Sequence, residues 1–173
     1  TDQSKWGELE RYVRDVVGEY NDDNRILFWD VYQAPGAAGL WDQSLPLLEV
    51  SFEWVRDENP EQPLTAGPWT RYGSPMSVRI MELSDFISLQ TFGDANEVKS
   101  RLSMQQQFDR PVICTDWLRR QDGNNFEEIL PVFEEQQVGW FSRGLVKGKT
   151  QLYIPDDRKY TSDEEVELWQ HDL

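Results

Sequence analysis

The sequence predicts an α/β fold made of consecutive strand–helix units, and three observations predict it. Short β-prone runs begin at residues 26, 64, 86, 112 and 138, so they recur 38, 22, 26 and 26 residues apart, the scale of βα repeats. Stretches with apolar side chains at helical spacing lie between most of them. The runs are apolar without strict alternation, as strands buried on both faces of a parallel sheet are. One domain spanning residues 1–173 is expected, because the length suits a single domain and no linker rich in Gly, Ser or Pro divides the chain.

The first element is a helix. Leu9, Tyr12, Val13, Val16, Val17 and Tyr20 recur at i, i+3, i+4, i+7, i+8 and i+11, one apolar stripe that the polar Asn21-Asp22-Asp23-Asn24 ends. A strand-like run at 26–31 follows, then a Gly/Ala loop. A second helix is expected at about 44–57, with Leu45, Leu48, Phe52 and Val55 on one side. Leu64-Thr65-Ala66, Phe86-Ile87-Ser88-Leu89, Val112-Ile113-Cys114 and Val138-Gly139-Trp140-Phe141 are the remaining strand candidates. Val98, Leu102 and Gln105 pattern one further helix, and Phe126, Ile129, Leu130 and Phe133 another. From about residue 152 the chain turns polar, and Pro155-Asp156-Asp157 reads as a loop before a closing Val166-Glu-Leu-Trp169 segment. Two architectures accept five such units: an open doubly wound sheet, and part of an eight-stranded barrel whose full form takes about 250 residues.

Composition then removes function classes. A net charge of -15 repels phosphate backbones, and no basic stripe interleaved with aromatics offsets it, so nucleic acid is not an expected partner. No apolar stretch has the length to span a bilayer, so no membrane insertion is expected. The N-terminus lacks the pattern of a signal peptide, and Thr1 is no initiator Met, which suits a processed or truncated chain and leaves the compartment open. One cysteine, Cys114, and one histidine, His171, allow neither an internal disulfide nor a zinc site; no metal or cofactor is expected. Gly144-Leu-Val-Lys-Gly148-Lys149-Thr150 is one residue short of a phosphate-binding loop, and Pro155 blocks the helix that would have to follow. No Gly-x-Gly-x-x-Gly follows the first strand. The acid excess, as in Asp163-Glu164-Glu165, is spread along the chain in the manner of a solvated surface.

Asp116 directly follows the strand Pro111-Val-Ile-Cys-Thr115, where a parallel barrel presents catalytic side chains, and is the leading catalytic candidate. Asp30, inside the first strand, reads as a structural carboxylate. Eight tryptophans are many for this length. Trp29, Trp41, Trp69, Trp117 and Trp140 lie in or just after strands, where aromatic faces could stack on a ligand, whereas Trp6, Trp54 and Trp169 sit in or beside helices as packing residues.

Glu8-Leu-Glu-Arg-Tyr-Val-Arg-Asp-Val-Val-Gly-Glu-Tyr20, Asp23-Asn-Arg-Ile-Leu-Phe-Trp-Asp30, Leu45-Pro-Leu-Leu48, Asn59-Pro60, Pro63-Leu-Thr-Ala-Gly67, Arg110-Pro-Val-Ile-Cys-Thr115, Phe126-Glu-Glu-Ile-Leu-Pro131 and Gly144-Leu-Val-Lys-Gly-Lys-Thr-Gln151 carry a likeness over nearly the whole chain. In their order they resemble the cellulase-like glycoside hydrolases of family five, in the clan of (β/α)8 barrels. The resemblance implies an incomplete TIM-type barrel of about five parallel strands, corresponding to strands four to eight. Two open sheet edges would remain, so another polypeptide covering the positions of strands one to three is an expected partner.

The same resemblance places the acid/base glutamate at Gln33-Ala34-Pro35, where Ala34 can neither donate nor accept a proton. It places the nucleophile at Asp116, one methylene shorter than a glutamate. A His-Asn-Tyr-like segment becomes Gln90-Thr91-Phe92, and Arg143 stands where such enzymes often offer a tryptophan to the sugar. With several site positions altered on a legible scaffold, the implied function is a catalytically inactive glycoside-hydrolase-like domain with a structural or interaction role in a larger assembly. The alternatives are a fragment or variant of a retaining β-glycoside hydrolase, cellulase- or xylanase-like, with Asp116 as nucleophile and Asp30 or Asp42 as acid, and a module that binds β-linked carbohydrate through Trp41, Trp69, Trp117 or Trp140.

Overall fold

The computed structural model describes residues 2–68, 73–105 and 108–142. The expectations for Trp69, Arg143, the glycine loop at 144–150 and the closing segment lie outside those residues. The chain divides into two compact units, Thr1–Ser88 and Leu89–Leu173. It is a mixed α/β protein, with five α-helices among the described residues and parallel strands in two small sheets.

In the first unit a 3-10 turn, Gln3–Lys5, leads into α1, Trp6–Tyr20. Asp2 caps the turn by accepting the Ser4 N–H at 3.0 Å. The apolar stripe of α1 packs toward α2, Leu45–Asp57, whose first turn carries Pro46, where a missing N–H costs nothing. Arg14 clamps the two helices together: it donates to Glu10 at 2.9 Å, to Asp57 at 2.8 Å and to Glu58 at 2.9 Å. Trp6 and Trp54 meet edge-on at 6.5 Å, the packing role that their helical positions suggest. Asn59, left-handed at φ 52°, ends α2 in the conformation that asparagine tolerates.

Two strands of two residues each make the first sheet. β1, Trp29–Asp30, pairs in parallel with β2, Leu64–Thr65, in the register Trp29 to Leu64 and Asp30 to Thr65. The expected run at 26–31 contracts to two residues because β2 offers partners over so short a length. Between β2 and the next strand stands α3, Pro75–Leu83. Its start is written in the sequence: Ser74 accepts the Ser77 N–H at 3.2 Å, and Pro75 occupies the first helical position. Val17, Leu48, Phe52, Val55, Leu64, Met76 and Ile80 form the core of this unit.

β3, Ile87–Gln90, runs across the division between the units and is fully buried. In the second unit α4, Ala95–Gln105, leads to β4, Val112–Asp116, and α5, Phe126–Glu135, leads to β5, Gly139–Trp140. The strand order is β3-β4-β5, with Ile113 opposite Gly139 and Cys114 opposite Trp140. Asp94 caps α4 by accepting the N–H groups of Asn96 and Glu97, and Asn125 caps α5 by accepting the Glu128 N–H at 2.9 Å. Val98, Leu102, Ile129 and Phe133 are buried, as the helical spacing predicts.

The α1 stripe departs from expectation in one respect. Val17 is buried, but Tyr12 is 66% exposed and Leu9 and Tyr20 are also exposed, so half the stripe has nothing over it among the described residues. Phe52→Ala should therefore cost about 4 kcal/mol by leaving a cavity in the core, while Tyr12→Ala should stay within about 0.5 kcal/mol. Urea denaturation of the two variants measures the contrast.

Candidate functional site

In parallel sheets, loops at the carboxyl ends of the strands gather the side chains that do chemistry. At the end of β1 the chain enters a loop of unusual backbone. Ala34, Ala38 and Trp41 all have positive φ, 54°, 54° and 46°, in company with Gly36 and Gly39. The Ala34 N–H donates to Gly67 O at 2.9 Å, which ties this loop to the residues after β2. Ala34 thus stands where the first sheet ends, presenting only a methyl group. Trp41 is 62% exposed, opening a 3-10 turn that runs to Ser44.

Asp30 sits beside this loop. Much of its surface meets solvent, yet the chain crowds the carboxyl itself. Burial pushes its pKa up from the ordinary 3.8, against the lowering pull of the Gly67 and Tyr32 N–H groups. Those two backbone donors hold it as the structural carboxylate that the sequence suggests.

The second unit brings Gln90, Asp116 and Trp140 to the ends of β3, β4 and β5. The Thr91 N–H donates to Asp116 O at 3.0 Å and joins the first two ends. Asp116 is only 8% exposed. Gln90 is 6% exposed, and its Nε2, like the buried Thr91 Oγ1, has no hydrogen-bond partner among the described residues. Cys114, one turn of the pleat earlier, is fully buried, and desolvation pushes its thiol far above the ordinary range, which leaves it unreactive.

Trp117 is a core residue. It is 1% exposed, with Phe126, Phe133 and Trp140 packed edge-on around it at 5.2, 5.3 and 5.7 Å, and its Nε1 donates to Phe141 O at 3.0 Å. No ring face remains for a sugar. Trp140, 43% exposed, keeps a solvent-facing part.

Beyond these ends lies an open polar pocket of about 400 Å³, lined by Phe92, Gly93, Asp94, Glu97, Arg101, Arg119 and Asp122. Its charges are already engaged. Arg101 Nε donates to Glu97 at 2.9 Å and its Nη1 to Gln90 O at 3.2 Å; Arg119 lies 3.1 Å from Asp122 as an ion pair without hydrogen-bond alignment. Asn124, which no motif singled out, holds the pocket's two loops together. Its Oδ1 accepts the Leu118 N–H at 2.6 Å and the Arg119 N–H at 3.3 Å, and its Nδ2 donates to Gly93 O at 2.6 Å. Leu118 is held at φ 79°, a strained conformation for a leucine.

A smaller cleft of about 150 Å³ beside Arg56, Gln62 and Asp85 lies at the amino end of β2, the side of such sheets associated with stability. Among the described residues no cluster of three or more His, Cys, Asp or Glu side chains is arranged to hold a metal ion, and no helix is long and apolar enough to cross a membrane. Compared with known proteins, the chain matches no family model and no curated protein sequence.

Asn124→Ala should destabilise the protein by about 3 kcal/mol, since it strands the Leu118 and Arg119 N–H groups that Asn124 Oδ1 accepts. A chemical denaturation curve checks it. Asp30→Asn carries a pH signature. A carboxyl raised in the folded state stabilises it when protonated, and that contribution is lost as pH rises through the folded pKa. The asparagine variant should therefore melt higher than the parent near pH 7, and the difference should vanish once pH falls below the ordinary 3.8. Melting temperatures across that range measure it.

Proposed function

We propose that this chain is a catalytically inactive, glycoside-hydrolase-like domain, an incomplete (β/α) barrel kept for a structural or interaction role and covered by a companion polypeptide. The observation that carries the reading is where the carboxylates at the strand ends are spent. Asp94 caps α4, Glu97 pairs with Arg101, Asp122 pairs with Arg119, Asp116 is buried, and position 34 holds a methyl group. Hydrolysis by two carboxylates needs both of them free to meet the glycosidic bond, one to give a proton and one to attack or activate water. Carboxylates committed to caps and ion pairs stabilise a fold instead. The likeness of the sequence to cellulase-like barrels supplies the ancestry, and the altered positions 34, 90 and 116 supply the loss.

A companion is supported by the edge of β1 that has no strand partner among the described residues and by the exposed Leu9, Tyr12 and Tyr20 along the apolar stripe of α1. A second reading, sugar binding without chemistry, is favoured by the exposed rings of Trp41 and Trp140.

Pure protein should release no reducing ends from β-linked glucan or xylan, and Asp116→Ala should leave that result unchanged. Hydrolysis that the substitution abolishes would overturn the reading. Calorimetric titration with short β-glucans addresses the second reading: saturable binding lost in Trp41→Ala or Trp140→Ala supports it, and flat titrations dismiss it.

A further inference from the structure

The uncovered face of the first unit has a definite shape. A groove of about 190 Å³ runs between α1 and β1, floored by Val17, Val31 and Val55 and walled by Tyr12, Val16 and Trp29. Beside it β1 has, among the described residues, a strand partner on one edge only. The N–H groups of Trp29 and Val31 donate to Pro63 O and Thr65 O, at 3.0 and 2.8 Å, so alternation of the backbone points the polar groups of Asp30 to the free edge. An apolar groove alongside an unpaired strand edge is what an extended segment needs, with backbone hydrogen bonds on one side and pockets for alternate side chains on the other.

The charge around the groove selects the occupant. Glu8, Asp15 and Glu19 share one flank of α1 with Tyr12, all exposed and in no ion pair among the described residues, with Arg11 beside them. Asp30 adds to the rim. A second copy of the chain would bring a net charge of -15 to meet this rim, and residues 151–173 of the chain itself hold seven carboxylates against two Lys or Arg side chains. Both are repelled. We infer that the groove between α1 and β1 receives an extended, basic segment of a companion polypeptide, which adds a strand to the free edge of β1, lays apolar side chains against Tyr12 and Val16, and sets Lys or Arg side chains against Glu8, Asp15 and Glu19. The inference rests on the companion proposed above and gives that companion its chemistry.

Three synthetic dodecapeptides test it: alternating valine and lysine, the same with glutamate for lysine, and the valine–lysine peptide with two central prolines. The prolines keep the charge and remove the strand hydrogen bonds. Affinity is read by fluorescence anisotropy on the intact chain, and hydrogen exchange reports the amide of Asp30. The valine–lysine peptide should bind one to one, protect Asp30, and exceed both controls about tenfold; reversing Asp15 and Glu19 to lysine should weaken it about tenfold without lowering the melting temperature, both residues being exposed. Equal binding of the proline peptide, preference for the glutamate peptide, no binding of any, protection confined to other residues, or self-association of the chain that occludes the groove would each overturn the inference. Glycan hydrolysis would sink the inactive-domain reading while leaving these results as they stand, so the two failures are distinguishable.

Discussion

Sheets this short cannot satisfy their own backbone, and the rest of the structure depends on how that deficit is met. β1 and β2 are two residues long, so the polar groups at the strand ends have few sheet partners and must be paired by side chains. Asp85 exchanges two bonds of 2.8 Å with Leu64, one through its carboxylate and one through its own N–H, while Arg56 donates to that carboxylate from α2. Gln62 accepts the Trp29 indole N–H at 3.0 Å and donates to Tyr20 O and Asp23 O, binding the end of α1 to β1. Asn124 does the same service in the second unit. Such bonds are individually worth about 1 kcal/mol, yet leaving a buried backbone group unmade costs more, so a few polar residues carry an outsized share of the order.

The helices were legible because a helix advertises its buried face every three or four residues. The stripes of α1, α2, α4 and α5 are visible from spacing alone, and the buried positions follow them. Spacing says which face is apolar, however, and nothing about what covers it; Tyr12 fits the stripe as well as Val17 does and remains exposed. The helix α3 escaped periodicity, although Ser74-Pro75 marked its start by capping chemistry. The first, second and last strands are shorter than their β-prone runs and β4 is longer, since such a run says only that pairing is favourable and the neighbour decides how far it goes. At the candidate site the positions of Gln90 and Asp116 after β-prone runs were readable, while the clamp by Asn124 was not. A single asparagine in a loop has no pattern, and its three bonds exist only once residues 31 apart in sequence have met. Trp117 shows the converse: a position after a strand suggested a binding surface, and an aromatic cluster claimed it.

Charge ties these features to function. A chain with 32 acidic and 17 basic residues keeps its arginines in contact with carboxylates: Arg14, Arg79 and Arg101 each bind at least one, and Arg14 binds three. Glu8, Asp15 and Glu19, on the outer flank of α1, are exposed and in no ion pair among the described residues. The arrangement is the one that the proposed basic companion would meet.

The left-handed backbone at Ala34 has an evolutionary consequence. At φ 54° an L-residue already sits against its steric preference, and a longer side chain there would meet the same penalty with a different exit direction from the one an extended or helical residue provides. A glutamate written at this one codon would bring a carboxyl group to the loop along that exit direction only. On the proposed descent from a hydrolase the change is ratcheted: a working carboxylate would require remodelling of the whole turn from Ala34 to Trp41, and selection would see no benefit from its first step.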